Sequence, residues 1–304
     1  EGRRVRTARE RFRMSLLRRF YEDYGHVLGA AAIRNFDEIE KALRAKGYLD
    51  RIVKAAWPLV SPDKLVHSLL ASRAALEEAA DGILDDAEQK LLVRRGARWS
   101  DGDIPLLDEA RARIATPPRA FGHVIVDEAQ DLTPMQLRMI ARRASDGAVT
   151  VLGDIAQGTG PVRYASWAEV LPETPVEELR HAYRVPREIM DVALPLLDAI
   201  APGSTPPISY RTGAEPPEVR RVEDAHLLAE AYRVAAGLAD GLVALIVPEQ
   251  LVDAALGDAH LYDGVPLLTP RQAKGLEFDH VVVVEPALID LRELYVALSR
   301  PTKT

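Results

Sequence analysis

The sequence predicts an α/β fold in which a parallel sheet follows a long helical region. Three observations predict it: apolar runs recur after residue 118, helical patterns lie between several of them, and the preceding hundred residues carry helical periodicity instead. Strands that are apolar throughout belong to parallel sheets covered on both faces.

From about 12 to 115 the pattern is helical, with Leu17, Phe20, Tyr21, Tyr24 and Leu28 keeping the three-and-four spacing of one apolar face. Asn35 with Glu38 reads as a capping box ahead of Phe36, Ile39 and Leu43, and Ser61 before Pro62 offers an N-cap and a first-turn proline. Pro117 and Pro118 mark the change of character. After them HVIV (123–126), VTVLG (149–153), VEEL (176–179), EVRRV (218–222), LVALIV (242–247), VPLL (265–268) and HVVVVEP (280–286) read as strands. Leu227, Leu228, Ala231, Ala235 and Leu238 trace a helix between two of these. Five prolines in 201–217 predict a long surface loop.

At 304 residues the chain exceeds one typical core, so two domains are expected. Hydrophobic content of 47% with charged content of 28% is that of a soluble protein, and no run approaches a membrane span. A cytoplasmic protein without a membrane partner is the expectation. The absence of cysteine excludes disulfides, thiolate metal sites and a cysteine nucleophile. The chain opens with Glu1 and no signal-peptide pattern follows, so a fragment is expected. A net charge of −7 argues against a surface that is wholly a nucleic-acid footprint. Residues 1–20, however, hold eight arginines against two glutamates. That stripe suits phosphates or an acidic protein face, and equally a solvated helix face.

The chemistry gathers at strand ends. In an open α/β sheet ligands bind beyond the carboxyl ends of the strands, and Asp127 and Glu128 follow HVIV directly. Thr133, Pro134 and Gln136 start the next helix, whose apolar face is Leu137, Ile140, Ala141 and Ala144, so the acids lie in a strand-to-helix turn. One such carboxylate can hold Mg²⁺ through water while the other orients or deprotonates an attacking water; solubilising loop acids are the plainer reading of the pair alone. The second strand ends in GDIAQ, where Gly153 lets the backbone turn and the Gln157 amide can read a phosphate without adding charge. Arg184 in HAYRVP and Arg300 in YVALSR are each by themselves ordinary surface cations; together they can neutralise charge on a transferring phosphoryl group.

VIVDEAQD, VLGDIAQ, LRHAYRVP, LTPRQAKGLEFDHVVVV and LRELYVALSR, in that order, resemble motifs II to VI of the UvrD/Rep type of superfamily 1 helicases. The wording of DEAQDLTPMQLRMIARR, GDIAQGTGP, AKGLEFDHVVVVEP and ELYVALSRPT is closest to the HelD branch, helicase-like ATPases that associate with bacterial RNA polymerase. The resemblance implies two RecA-like P-loop NTPase lobes, the first incomplete: a helical insertion at 1–115, the C-terminal part of lobe 1 at 116–172, and lobe 2 at 173–304. It implies ATP and Mg²⁺, with Asp127 for the metal, Glu128 as the base that positions water, Gln157 as the γ-phosphate sensor, and Arg184 and Arg300 on the phosphates. Gly275 and Glu277 would border the nucleotide, and Thr269 and Lys274 would face a nucleic-acid strand. RNA polymerase is the implied partner, with remodelling or recycling of it as the output. A UvrD-like DNA helicase or translocase and a non-catalytic module with a decayed ATP site stand as alternatives.

Two departures bear on this. A P-loop ends in Gly-Lys-Ser/Thr, yet none of the seven lysines follows a glycine, so motif I is missing and the 304 residues alone are expected not to hydrolyse ATP. Only about ninety residues separate Arg184 from Lys274, which leaves no room for the large second-lobe insertion of UvrD.

Overall fold

Helical periodicity in the first part of the chain becomes α1 (Gly2–Leu28), α2 (Phe36–Ala45), α3 (Tyr48–Ala56), α4 (Pro62–Ala71), α5 (Arg73–Ala80), α6 (Asp86–Leu92) and α7 (Ile104–Ile114) in the computed structural model. The structure describes residues 2–28, 36–58, 60–94, 96, 98–114, 119–213, 215–238, 241–258 and 264–304. Ser61 caps α4 by accepting the Lys64 amide, and Pro62 takes the first turn, where its missing N–H costs nothing. The Asn35 capping box and the Pro117–Pro118 junction lie outside the described residues. On α1, Leu17 is fully buried, whereas Phe20 and Tyr24 are 38% and 37% exposed. The apolar stripe is narrower than its spacing implies because Phe36, Leu43, Leu49 and Val53 gather around Leu17.

The chain divides into two compact units, residues 1–124 with 135–149 and residues 125–134 with 150–304. Within the first, Val66, Leu70 and Ala110 form a second small core between α4 and α7. The α7 acids Asp108 and Glu109 pair with Arg138, Arg142 and Arg143, on and just after α8 (Pro134–Ala141). Between α7 and α8 runs β1 (Val124–Val126), which pairs with β2 (Val149–Val151).

The second unit continues through α9 (Trp167–Val170), β3 (His181–Ala182), α10 (Arg187–Ala193), α11 (Leu197–Ile200), β4 (Ile208–Ser209), α12 (Leu227–Gly237), β5 (Val243–Ile246), α13 (Val252–Asp258), β6 (Leu267–Leu268), α14 (Pro270–Ala273), β7 (His280–Val283) and α15 (Leu291–Leu298). β5 lies between β6 and β7 and is parallel to both. Alternation along it decides what it touches. Leu245 and Val247 pack with Ala231 and Tyr232 of α12 and Ala255 of α13, while Ile246 meets Ala273 of α14 and Ala297 of α15. Helices therefore cover both faces, as the continuous apolar run predicts, and Ala244 to Val247 have no exposed surface. Each large side chain so buried contributes about 1.5–3 kcal/mol.

Two predicted strands do not form. Residues 176–179 and 218–222 are irregular, with Leu179 90% and Val219 88% exposed. Their acids and arginines leave no apolar face to bury, and Glu218 pairs with Arg220 in solvent. In their place β3 and β4 form a parallel pair, His181 opposite Ile208 and Ala182 opposite Ser209, so part of the proline-rich stretch expected as loop is strand. Two-residue strands are too short to show a period. The small parallel sheets with intervening helices make the fold mixed α/β. Among the described residues no helix is long and apolar enough to cross a membrane.

Candidate functional site

β1 delivers the chain to Asp127 and Glu128, and the backbone turns sharply there. Glu128 takes a left-handed conformation, φ 53° and ψ 35°, ahead of a short 3₁₀ turn at Ala129–Asp131. That conformation costs a side-chain-bearing residue about 1–3 kcal/mol, so the surroundings must hold it. Asp127 Oδ1 accepts the Glu128 amide at 2.8 Å. Gln130, 1% exposed, donates from Nε2 to Glu128 Oε2 at 2.5 Å and accepts the Asp154 amide on Oε1 at 3.1 Å. Gln130 thus fastens the acid turn to the end of β2. A Cβ on Gly153 would come within 2.1 Å of Gln130 Oε1, which explains the glycine.

The Asp154 side chain organises its own turn. It accepts the Ala156 amide at 2.9 Å and the Gln157 Nε2 at 2.8 Å, closing the 3₁₀ turn Ile155–Gln157. This leaves Gln157 Oε1 to accept from Arg300 Nη2 at 2.7 Å. Arg300 is 2% exposed and also donates to the carbonyls of Val296 and Leu276 and to Ser299 Oγ. Burial first, and Arg184 second, pull its pKa down to about 10, against the opposing pull of Glu128, Asp154 and Glu277; it is still a cation at neutral pH. Arg184 donates to Glu277 Oε1 at 2.8 Å, and its buried Nε has no protein partner.

One pocket of about 310 Å³ is lined by Asp127, Glu128, Gly153, Asp154, Gln157, Arg184, Gly275 and Arg300. Six of the nine residues expected from the sequence share it, and Glu277 is joined to it through Arg184. Thr269 and Lys274 do not line it. Thr269 is buried and caps α14, accepting the Gln272 amide and donating its own to Gln272 Oε1. Lys274 donates to Asp131 Oδ2 and to the Gln157 carbonyl, both at 2.5 Å, and lies 3.6 Å from Glu128 Oε2. Asp131 in turn accepts the amides of Thr159 and Gly160. Gln130 and Asp131 have no place in the sequence expectation. Their signal is chemical type: an amide that donates and accepts at once, and an acid flanking it, suit a junction between two polar turns.

Acids and arginines facing one open pocket, beyond the ends of parallel strands, form a set that suits a metal-bound polyphosphate. The viral superfamily 1 RNA helicase core domain matches residues 83–304, most of the chain and every residue of this pocket. The chain belongs to that family. Among solved structures, the PRRSV helicase is similar to this superfamily 1 chain with a TM-score of 0.39 and 14% identity, covering 80% of this chain and 49% of that one. The complex of arterivirus nonstructural protein 10, a helicase, with DNA is similar with a TM-score of 0.38 and 15% identity, covering 80% and 56%. The superfamily 1 chain thus spans about half the length of the solved helicases it matches. No curated protein matches it. The family match supports a superfamily 1 helicase and selects neither the UvrD/Rep type nor the HelD branch.

Proposed function

We propose that residues 125–304 carry the hydrolytic part of an ATP-driven superfamily 1 motor built on two RecA-like lobes, the first formed in part by 116–172 and the second by 173–304. What supports this most is the meeting of two carboxylates, one glutamine and two arginines at a single pocket in a chain of that family. The donor set fits the implied ligands. Asp127 offers a hard oxygen for Mg²⁺ held through water, Arg300 is a buried cation, and the unpartnered Arg184 Nε is a donor awaiting an acceptor.

In this proposal Glu128 orients water and takes its proton, and Gln157 reads the terminal phosphate. Arg184 and Arg300 neutralise the charge that spreads over it, while Gly275 and Glu277 border the nucleotide. Bound Mg²⁺ supplies Lewis-acid neutralisation of the phosphates. No lysine follows a glycine in the sequence, so the phosphate-cradling loop is proposed to come from residues outside these 304. A strand contact at Thr269 or Lys274 is proposed only for a state in which Lys274 has left Asp131. Asp127→Asn in the full-length protein tests the metal assignment. Hydrolysis should fall about a hundredfold or more and the Mg²⁺ concentration for half-maximal rate should rise; an unchanged Mg²⁺ dependence removes Asp127 from the role.

A finer reading concerns the partner. The HelD-like wording of GDIAQGTGP and AKGLEFDHVVVVEP favours RNA polymerase, remodelled or recycled by ATP-linked movement, over free DNA. Capture of RNA polymerase by the full-length protein, reversed by ATP, is the expected result. Failure of capture together with hydrolysis stimulated by single-stranded DNA would instead favour a UvrD-like motor, and failure of both a non-catalytic module.

A further inference from the structure

Arginines on and just beyond α15 grip one short turn at two points. Arg300, just past the C-terminal end, donates to Gln157 Oε1 at 2.7 Å, and Arg292, near the N-terminal end, donates from Nη1 to the Ile155 carbonyl at 3.0 Å. Ile155 and Gln157 are the first and last residues of the same 3₁₀ turn. Arg292 is 8% exposed, and its Nη2 donates to the carbonyls of Tyr164 and Ile200, each at 2.7 Å. All three acceptors are neutral. Burial pulls the Arg292 pKa below the ordinary arginine value, with Arg163 adding to the effect and Asp290 opposing it. A buried cation on neutral carbonyls is a costly way to hold packed elements, and an apolar side chain would avoid the desolvation. What an apolar side chain lacks is direction: the planar fork fixes three backbone segments at once.

Gly158 fits the same arrangement. Its φ of −67° is open to any residue, so the backbone does not require glycine there. Space does: a Cβ would come within 2.9 Å of Arg292 Nη1 and 3.2 Å of the Ile155 carbonyl.

We propose that Arg292 is a positioning residue that holds the Ile155–Gln157 turn on α15, so that the Gln157 amide keeps its register with Arg300. The proposal rests on the ATPase reading for its kinetic consequence and on the geometry alone for its structural one. The turn then follows any shift of α15, which gives that helix a direct hold on the residue proposed to read the terminal phosphate.

Four variants of the full-length protein test it: Arg292→Lys, Gly158→Ala, Gln157→Ala, and Arg292→Lys with Gln157→Ala. Arg292→Lys keeps the charge and loses the fork, so kcat for ATP should fall about tenfold with KM within about twofold. Gly158→Ala, which crowds Arg292 without replacing it, should act in the same direction. In the Gln157→Ala background Arg292→Lys should change kcat by less than about twofold, because the effect runs through Gln157. An unchanged kcat in Arg292→Lys, or an equal loss in both backgrounds, overturns the proposal. Amide hydrogen exchange over 155–160 without nucleotide gives a readout apart from hydrolysis. Faster exchange in Arg292→Lys supports the hold on the turn, and unchanged exchange overturns it. A wild-type protein that hydrolyses no ATP, with exchange that still responds, brings down the ATPase reading and leaves the hold on the turn standing.

Discussion

Gln130 shows how a single side chain makes a site out of two turns. Its amide donates to Glu128 and accepts from Asp154, and Gly153 leaves the space in which it lies. Gly153→Ala should therefore destabilise the protein by about 1–3 kcal/mol, because the new methyl meets a buried amide and the neighbouring Ala129 backbone; thermal unfolding checks it. Arg300 is a second case. Lysine there cannot donate at once to Val296, Leu276 and Gln157, so Arg300→Lys should lower kcat by about a hundredfold or more in a steady-state assay. The guanidinium, with its pKa lowered to about 10 by burial and by Arg184, is charged through neutral pH. Six of the residues expected from the sequence line the pocket: Asp127, Glu128, Gln157, Arg184 and Arg300 stand out by type and position, and Gly275 only through the resemblance of its motif. Gln130, Asp131 and Arg292 were not legible in the sequence, because their value lies in partners up to 143 positions away.

At the scale of elements, length decided what could be read. β5 and β7 carry four residues each, all apolar except His280, so their pattern shows, whereas β3 and β4 with two residues each are too short to show one. VEEL and EVRRV looked like strands by composition, yet a strand also needs a face to bury, and Leu179 and Val219 found none. In the helical unit, ion pairs hold element ends that the small cores leave open. Arg94 holds the Asp103 carboxyl down at about 2 against the opposing effect of burial, and hydrogen bonding from Arg138, also opposed by burial, holds Glu109 at about 2. Both folded values lie below the ordinary 3.8 and 4.5, so these groups add stability that is fully present above about pH 5 and lost as pH falls toward 2. Glu109→Gln should lower stability at pH 7 and lessen the further loss between pH 5 and 3, as measured by helical circular dichroism. An acid limb as steep as wild type would contradict the assignment.

At the scale of the whole molecule, the family match covers residues 83–304 and includes all eight residues of the pocket. The polar set that the sequence can supply, acids, glutamine and arginines, lacks the glycine-lysine pair that a phosphate cradle needs. Hence the 304 residues in isolation should turn over ATP no faster than background, whereas the full-length protein should be an ATPase. In the function proposed above, Asp127, Glu128, Gln157, Arg184 and Arg300 form its hydrolytic edge. Single-turnover hydrolysis by full-length Glu128→Gln, measured beside nucleotide binding, is the decisive test of that edge. The rate should fall by about 10²–10⁴ with nucleotide affinity kept within a few fold. Hydrolysis at the wild-type rate would contradict it.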